Sequence, residues 1–124
     1  MADHSIAVVV GASEEELAHV RQCLSDWGCT KASLNDKETA VSSIPPGAKL
    51  IIVYARKNLE NTLAICEQLR CSPGSSALPI LLVISRYDLP QGNAVLRMGN
   101  ANFIMVPLDE EELRRRAKEL LDRS

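Results

Sequence analysis

Short apolar runs alternate with helical patterns along the whole chain. Runs that are apolar at nearly every position occur at Ile6–Val10, Leu50–Val53 and Pro79–Ser85. A short run of this kind, rich in β-branched residues, is typical of a strand buried on both faces. A weaker strand is predicted at Thr30–Leu34, and a further one within Gly99–Leu108. The pattern therefore predicts five strands separated by helices.

The first helix is predicted from a capping pattern that follows the first strand. Ser13 is followed three residues later by Glu16, a spacing at which each side chain can bond the other residue's backbone N–H. Apolar residues then recur at helical spacing, at Leu17, Val20, Leu24 and Trp27. Gly28 can adopt the left-handed conformation in which many helices end. We therefore expect this helix to extend from Ser13 to Gly28.

Four more helices are predicted after the remaining strands. A second capping pattern at Asn35–Glu38 opens a short helix, and a longer one extends from about Asn58 to Arg70. A poorer helical pattern follows Asp88. Asp109 caps the last helix with Glu112 at its third position. The inward-facing residues of this last helix are Leu113, Ala117, Leu120 and Leu121.

Five strand–helix units predict an α/β fold with a parallel sheet covered by helices on both faces. The 124 residues suit a single domain, residues 1–124, with one sizeable core. With 46% hydrophobic and 24% charged residues the composition is that of a globular protein. A net charge of −2 gives no basic field for nucleic acid or membrane, and no apolar run approaches the roughly 18 residues of a membrane span. The N-terminus lacks a basic segment before its apolar run, so we expect a cytoplasmic protein.

The cysteine spacing indicates neither a metal site nor a redox motif. Cys23, Cys29, Cys66 and Cys71 match neither a CxxC pair nor a zinc pattern. Cys66 falls on the apolar stripe of its helix, which favours a packing role. We expect reduced thiols, with a regulatory disulfide as the alternative.

Three segments of the chain resemble the strands of two-component receiver domains. Lys49–Tyr54 is similar to their third strand, Pro79–Ser85 to their fourth, and Gly99–Leu108 to the loop and fifth strand. The resemblance covers nearly all of the chain. It implies a flavodoxin-like, doubly wound (βα)5 fold with strand order 2-1-3-4-5. The working site would lie at the carboxyl ends of strands 1, 3 and 4.

The residues that carry receiver chemistry are replaced in this chain. Receivers have two acids after strand 1 that help hold a divalent cation, a phosphate-accepting Asp ending strand 3, a Thr or Ser ending strand 4, and a Lys ending strand 5. The matching positions here are Gly11, Ala12, Tyr54, Ile84 and Val106. The resemblance thus implies a pseudo-receiver, a signalling and protein-interaction module of phosphorelay systems that is neither phosphorylated nor an enzyme. It would need no metal and no cofactor.

Other residues near these positions give weaker expectations. Ser85 is one residue beyond the expected hydroxyl position, and Arg56 and Lys57 would make the rim after strand 3 positive. We expect a pocket more apolar than a receiver's, partly filled by the Tyr54 ring, with its hydroxyl at the rim.

The charged final helix is expected to pair mostly with itself. Acids and arginines lie four residues apart at 110–114, 111–115, 112–116 and 115–119. In receivers, helix 4, strand 5 and helix 5 form the surface that meets a protein partner or a second copy. The candidate interface residues are therefore Arg97, Asn102, Arg115 and Lys118.

Two alternative functions remain open at this point. One is an atypical response regulator that is phosphorylated at a non-standard residue. The other, more distant, is a nucleotide-binding enzyme that uses Val10–Ser13 as a phosphate turn, although this turn has one glycine and lacks the dinucleotide and P-loop patterns.

Overall fold

The computed structural model describes residues 5–10, 13–24, 28–32, 49–54, 64, 66–68, 70–71, 78–85, 89–97, 99–106 and 108–123. In this part of the chain five strands form one sheet in which all neighbours are parallel. They are β1 (Ser5–Val10), β2 (Gly28–Ala32), β3 (Leu50–Tyr54), β4 (Ile80–Ile84) and β5 (Ala101–Met105). Their order in the sheet is β2-β1-β3-β4-β5, which is the order that the receiver resemblance implied.

The helices follow the strands as the sequence predicted. They are α1 (Glu14–Cys23), α2 (Leu89–Leu96) and α3 (Glu110–Arg123). Residues 64, 66–68 and 70–71 are also helical and fall at the end of the helix predicted from Asn58. The helix predicted at Asn35–Glu38 lies outside the described residues. No helix in the described segments is both long and apolar enough to cross a bilayer.

Side-chain caps start α1 and α3 at the predicted residues. Ser13 Oγ accepts from the Glu16 N–H at 3.2 Å, and Glu16 Oε1 accepts from the Ser13 N–H at 2.8 Å. Asp109 Oδ2 likewise accepts from the Glu112 N–H at 3.0 Å. Each cap satisfies N–H groups that have no partner within the helix, which is why these helices begin there.

The predicted end of α1 at Gly28 is wrong. The helix ends at Cys23, and Leu24 forms its C-terminal cap through a 2.9 Å bond from its N–H to the Val20 carbonyl. Gly28 instead begins β2, two residues before the predicted start at Thr30. The chain must reverse direction between a helix and the next parallel strand. The helix must therefore end before β2 begins, and the apolar spacing alone does not reveal where it ends.

Two hydrophobic cores lie on opposite faces of the sheet. One packs α1 and α3 against alternate strand residues, among them Ile52 on β3. The other packs Cys66 and α2 against the intervening residues, among them Ile51. Side chains alternate between faces along a strand, so a strand that is apolar throughout supplies both cores. Every residue of β3 and β4 is buried.

Arg70 joins three segments at the amino-terminal end of the sheet. Its Nη1 donates to the Leu78 carbonyl at 2.6 Å, and its Nη2 donates to the carbonyls of Gly99 and Asn100 at 3.0 and 3.1 Å. Gly99 and Asn100 both have positive φ, 76° and 53°, in the turn before β5. A Cβ at Gly99 would meet no atom within 4 Å, so the backbone angle alone favours glycine there.

Candidate functional site

The carboxyl ends of the central strands meet at one edge of the sheet. Strand register pairs Tyr54 with Val83, one residue before Ile84 ends β4. Ile84 pairs with Met105, and its carbonyl accepts the N–H of Val106 at 2.9 Å. Tyr54, Ile84 and Val106 thus lie at the edge where the receiver resemblance places the working site. Gly11 and Ala12 are outside the described residues.

Tyr54 belongs to the core on the α1 and α3 face. It is only 3% exposed and packs in the same cluster as Ile52, Leu81 and Val83. Its phenol oxygen is also buried, so the expectation that the hydroxyl reaches the rim is wrong. The cause is strand alternation, because Tyr54 points to the same face as Ile52 and therefore into the sheet–helix layer.

The remaining described positions lie in different surroundings from Tyr54. Ile84 is 2% exposed but packs in the opposite core, against α2 and the Cys66 helix residues. Val106 follows the end of β5 and is 43% exposed. The described positions are apolar, as expected, but Ile84 packs in the opposite core from Tyr54. Successive strand residues face opposite sides of the sheet, which separates these side chains. Gly11 and Ala12 lie outside the described residues, so the apolar pocket around Tyr54 as a whole stays a prediction.

The candidate rim residues are only partly described. Ser85 is half-buried directly after β4, and Arg56 and Lys57 lie outside the described residues. Glu14 and Glu15 are exposed in the first turn of α1, where carboxylates complement the positive end of the helix. Within the described segments, no group of three His, Cys, Asp or Glu residues is placed to hold a metal ion.

The described groups with clearly shifted pKa values lie away from this edge. Burial raises the pKa of Cys66 from 9.0 to about 12. Burial is also the largest cause that raises the pKa of the Cys23 thiol, followed by the nearby carboxylate of Glu110. Burial lowers the pKa of Arg70. These shifts come from packing inside and between helices.

Solved structures share this architecture over almost the whole chain. The receiver domain of NtrX from Brucella abortus superposes with a TM-score of 0.76 at 20% identity, covering 95% of this chain and 99% of that one. The chemotaxis response regulator CheY4 of Vibrio cholerae gives 0.72 at 15%, covering 92% and 96%. The receiver domain of TorR, the response regulator of a TMAO respiratory system, gives 0.71 at 25%, covering 94% and 96%. This chain has the fold of a response-regulator receiver domain.

One solved structure that this chain matches is much longer than the chain itself. The chain spans 26% of a longer NtrX chain from Brucella abortus. The sequence matches no protein-family model and no curated protein. The similarity to receivers is therefore one of fold.

The second candidate surface of this receiver fold involves β5 and the two helices beside it. Asn102 is half-buried and its Oδ1 lies 3.4 Å from Arg116 Nη1. Arg97 is exposed after α2. Arg115 and Lys118 are exposed on α3 on the side away from the buried Leu113, Ala117 and Leu120. The structure thus joins Asn102 to Arg116, whereas the candidate interface residues Arg115 and Lys118 are exposed.

Arg116 also belongs to this surface, although the sequence predicted only its ion pair with Glu112. It does pair with Glu112 at 3.2 Å, and Arg114 pairs with Glu110 at 3.3 Å. Of the four expected pairs, those of Arg115 do not form among the described residues of α3. In addition to its ion pair, Arg114 donates through Nε to the Cys23 carbonyl at 2.6 Å. This hydrogen bond connects α3 to the end of α1. One signal in the sequence indicates that Arg116 could contact β5. Arg116 lies on α3 one residue after Arg115, which faces outward.

Proposed function

We propose that this chain is a receiver-like protein-interaction module of two-component signalling that works without phosphorylation of its third strand. The observation that carries the proposal is the residue that ends β3. Tyr54 occupies this position with its ring in the core and its oxygen buried. No carboxylate is therefore available at the point where a receiver would accept phosphate.

The neighbouring strand ends support the same proposal. Aspartyl phosphorylation needs a carboxylate nucleophile and a divalent cation to neutralise the transferring phosphoryl group. A phenol has a pKa of roughly 10 and is neutral at pH 7. Ile84 and Val106 offer neither a hydroxyl nor a positive charge where receivers bind the phosphoryl oxygens. The carboxyl end of the sheet is thus suited to packing and not to phosphoryl transfer.

Phosphorylation by a small-molecule donor tests the proposal. The protein is incubated with acetyl phosphate and Mg²⁺, and phosphate adducts are sought by prompt intact-mass measurement. In a parallel sample, borohydride reduces any aspartyl phosphate to homoserine, with release of the phosphate, and the homoserine is located by mass spectrometry. We expect no adduct, and none for the matched variant Tyr54→Asp, because one carboxylate does not restore the hydroxyl and lysine positions. A receiver with the full acidic site serves as positive control. A Mg²⁺-dependent aspartyl adduct in the parent protein would contradict the proposal, and an adduct mapped elsewhere would favour the atypical regulator.

We further propose that partners bind on the face formed by α2, β5 and α3, hereafter the β5 face. Exposed apolar side chains mark this face, with Leu96 44% exposed at the end of α2 and Met105 39% exposed at the end of β5. Arg97 and Arg115 contribute exposed cations whose side chains make no bond to the described residues. Large apolar side chains among unpaired charges are a usual composition for a protein-binding surface.

Site-specific photo-crosslinking in the source cell tests the β5 face. A photoreactive residue is placed at position 96 or 105, and, as the matched control, at the exposed Ala18 on α1. We expect one recurrent protein adduct from positions 96 and 105 and not from position 18. Adducts that form mainly from position 18 would place the partner surface on α1 instead.

A further inference from the structure

The edge strand β5 exposes backbone groups to any strand that could pair with it. Among the strands that the structure describes, β5 is hydrogen-bonded to β4 alone. The Val106 N–H bonds to the Ile84 carbonyl, so residues of even number turn their N–H groups toward β4. The N–H groups of Phe103 and Met105 therefore point away from the sheet. Such an open edge is a template for pairing with another chain.

The side chain of Asn102 accepts a hydrogen bond from one of these outward N–H groups. Its Oδ1 accepts from the Phe103 N–H at 2.8 Å, a strong contact between neighbouring residues. Arg116 Nη1 approaches the same oxygen at 3.4 Å, and Arg116 is itself held by Glu112 through Nε at 3.3 Å and Nη2 at 3.2 Å. Both neighbours of the oxygen are donors, which fixes the orientation of the amide. The side chain is thus anchored over the edge from the α3 side.

We infer that Asn102 guards the edge of the sheet and prevents two copies of this chain from pairing through β5. Antiparallel pairing about a twofold axis at Phe103 would let each Phe103 exchange its N–H and carbonyl with the other copy. This is the symmetric arrangement that the outward groups of β5 permit at the middle of the strand. It requires the same Phe103 N–H that Asn102 already binds. The side chain therefore competes with a second copy for the N–H at the centre of this symmetric pairing.

The guard acts on a different feature from the proposed partner surface. It concerns the backbone edge of β5, whereas partner binding would use the exposed side chains of the β5 face. Leu96 lies on α2 and takes no part in the guard. A failure of the guard would thus leave the proposed function untouched.

Two substitutions at one position separate the acceptor from the size of the side chain. Asn102→Val removes the acceptor and suits a strand, whereas Asn102→Asp keeps an oxygen that can accept from Phe103 and Arg116. Arg115→Val adds the same apolar side chain on the outer face of α3 and controls for added hydrophobicity. Sedimentation equilibrium over a range of protein concentrations gives the association constant of each variant. We expect association about tenfold stronger or more for Asn102→Val, and parent-like values for the other two.

Amide hydrogen exchange in the unmodified protein tests the same inference without any substitution. Phe103 and Met105 both direct their N–H outward, but only that of Phe103 is bound by a side chain. We expect the Phe103 amide to exchange about tenfold more slowly than that of Met105, after correction for sequence effects. The Asn102→Val variant, kept dilute, should lose this difference.

Three results would overturn the guard. A folded Asn102→Val variant that associates no more than the parent would show that the edge is closed by something else. Equal association of the Asp and Val variants would show that the acceptor is irrelevant. If Asn102→Val does not fold, equal exchange at Phe103 and Met105 in the parent would decide against the inference.

Discussion

At the scale of single residues, Tyr54 contributes packing energy where a receiver would hold a charge. We expect Tyr54→Asp to lower the free energy of unfolding by about 3–5 kcal/mol, the range for truncating a large aromatic side chain in a core. A buried carboxylate without a partner adds to this loss. Urea unfolding of parent and variant measures the difference.

Tyr54→Phe is the matched control for this prediction. It keeps the ring in the core and removes only the buried oxygen, so the loss should stay far below that of Tyr54→Asp. If Tyr54→Asp proves as stable as Tyr54→Phe, the end of β3 must open to water, and the packing role of the ring would be wrong.

The chemistry of this position could be predicted from the sequence, but its geometry could not. The continuous apolar run predicts that Tyr54 ends β3, and the resemblance to receivers implies that an Asp is replaced there. The direction of its hydroxyl depends on which face of the sheet carries α1 and α3, and a strand apolar at every position does not reveal its faces. The rim position expected for the hydroxyl failed for this reason, and for the same reason Ile84 packs in the opposite core from Tyr54.

The buried thiol of Cys66 predicts a loss of stability in alkali. Its pKa is raised from 9.0 to about 12 in the folded chain. Between these values the unfolded chain releases the proton and the folded chain keeps it, so the free energy of unfolding falls as pH rises above about 9, by up to about 1.4 kcal/mol per pH unit. Below pH 9 the thiol is protonated in both states and the effect vanishes.

Urea unfolding of parent and Cys66→Ala across this alkaline range isolates the contribution of the thiol. Tyrosine and lysine groups titrate in both proteins, so only the difference between the two curves reports on Cys66. We expect the stability gap between parent and variant to narrow as pH rises. Curves that remain parallel up to about pH 11 would contradict the buried, protonated thiol.

At the scale of elements, Arg70 holds the turn before β5 against the start of β4. Hydrogen bonds from a charged donor contribute about 1.5–3 kcal/mol, so Arg70→Met should lower the free energy of unfolding by about that amount. Arg70→Lys should recover only part of the loss, because one ammonium group lacks the planar fork that reaches three carbonyls on two segments.

The exposed Arg97 provides the control for this prediction. It lies close to the same turn in sequence and its side chain bonds to no described residue, so Arg97→Met should change stability by less than about 0.5 kcal/mol. Thermal unfolding compares the variants, and exchange of the Ile80 amide, which bonds to the Asn100 carbonyl at 3.2 Å, reports on the turn itself. An Arg70→Met protein with parent-like stability and parent-like exchange of the Ile80 amide would show that the turn is stable without the Arg70 hydrogen bonds.

Elements were predictable where their signals are local. Helix starts at Ser13 and Asp109 were found because a cap involves residues three positions apart. The end of α1 was missed because it depends on how much chain is needed to reach β2. The hydrogen bonds of Arg70 could not be predicted at all. Their acceptors are backbone carbonyls 8 to 30 residues away, and every residue has such a carbonyl.

At the scale of the whole molecule, β3 links the two cores of the receiver fold. Neighbouring residues such as Ile51 and Ile52 pack on opposite faces, so neither core can lose its strands without disrupting the other. We therefore expect residues 1–124 to unfold as one cooperative unit. In urea, far-UV circular dichroism and the methyl signals of both cores should follow one transition, with a slope of about 1–3 kcal/mol per molar urea.

Paired truncations test this coupling more sharply than the parent alone. Leu113→Ala removes packing from the α1 and α3 core, and Val95→Ala removes it from the α2 core. If the cores unfold together, each substitution shifts the midpoint for the probes of both cores equally, because a two-state transition has a single equilibrium constant. If Val95→Ala shifts only the probes of its own core, that face of the sheet unfolds independently and the chain is not one cooperative domain.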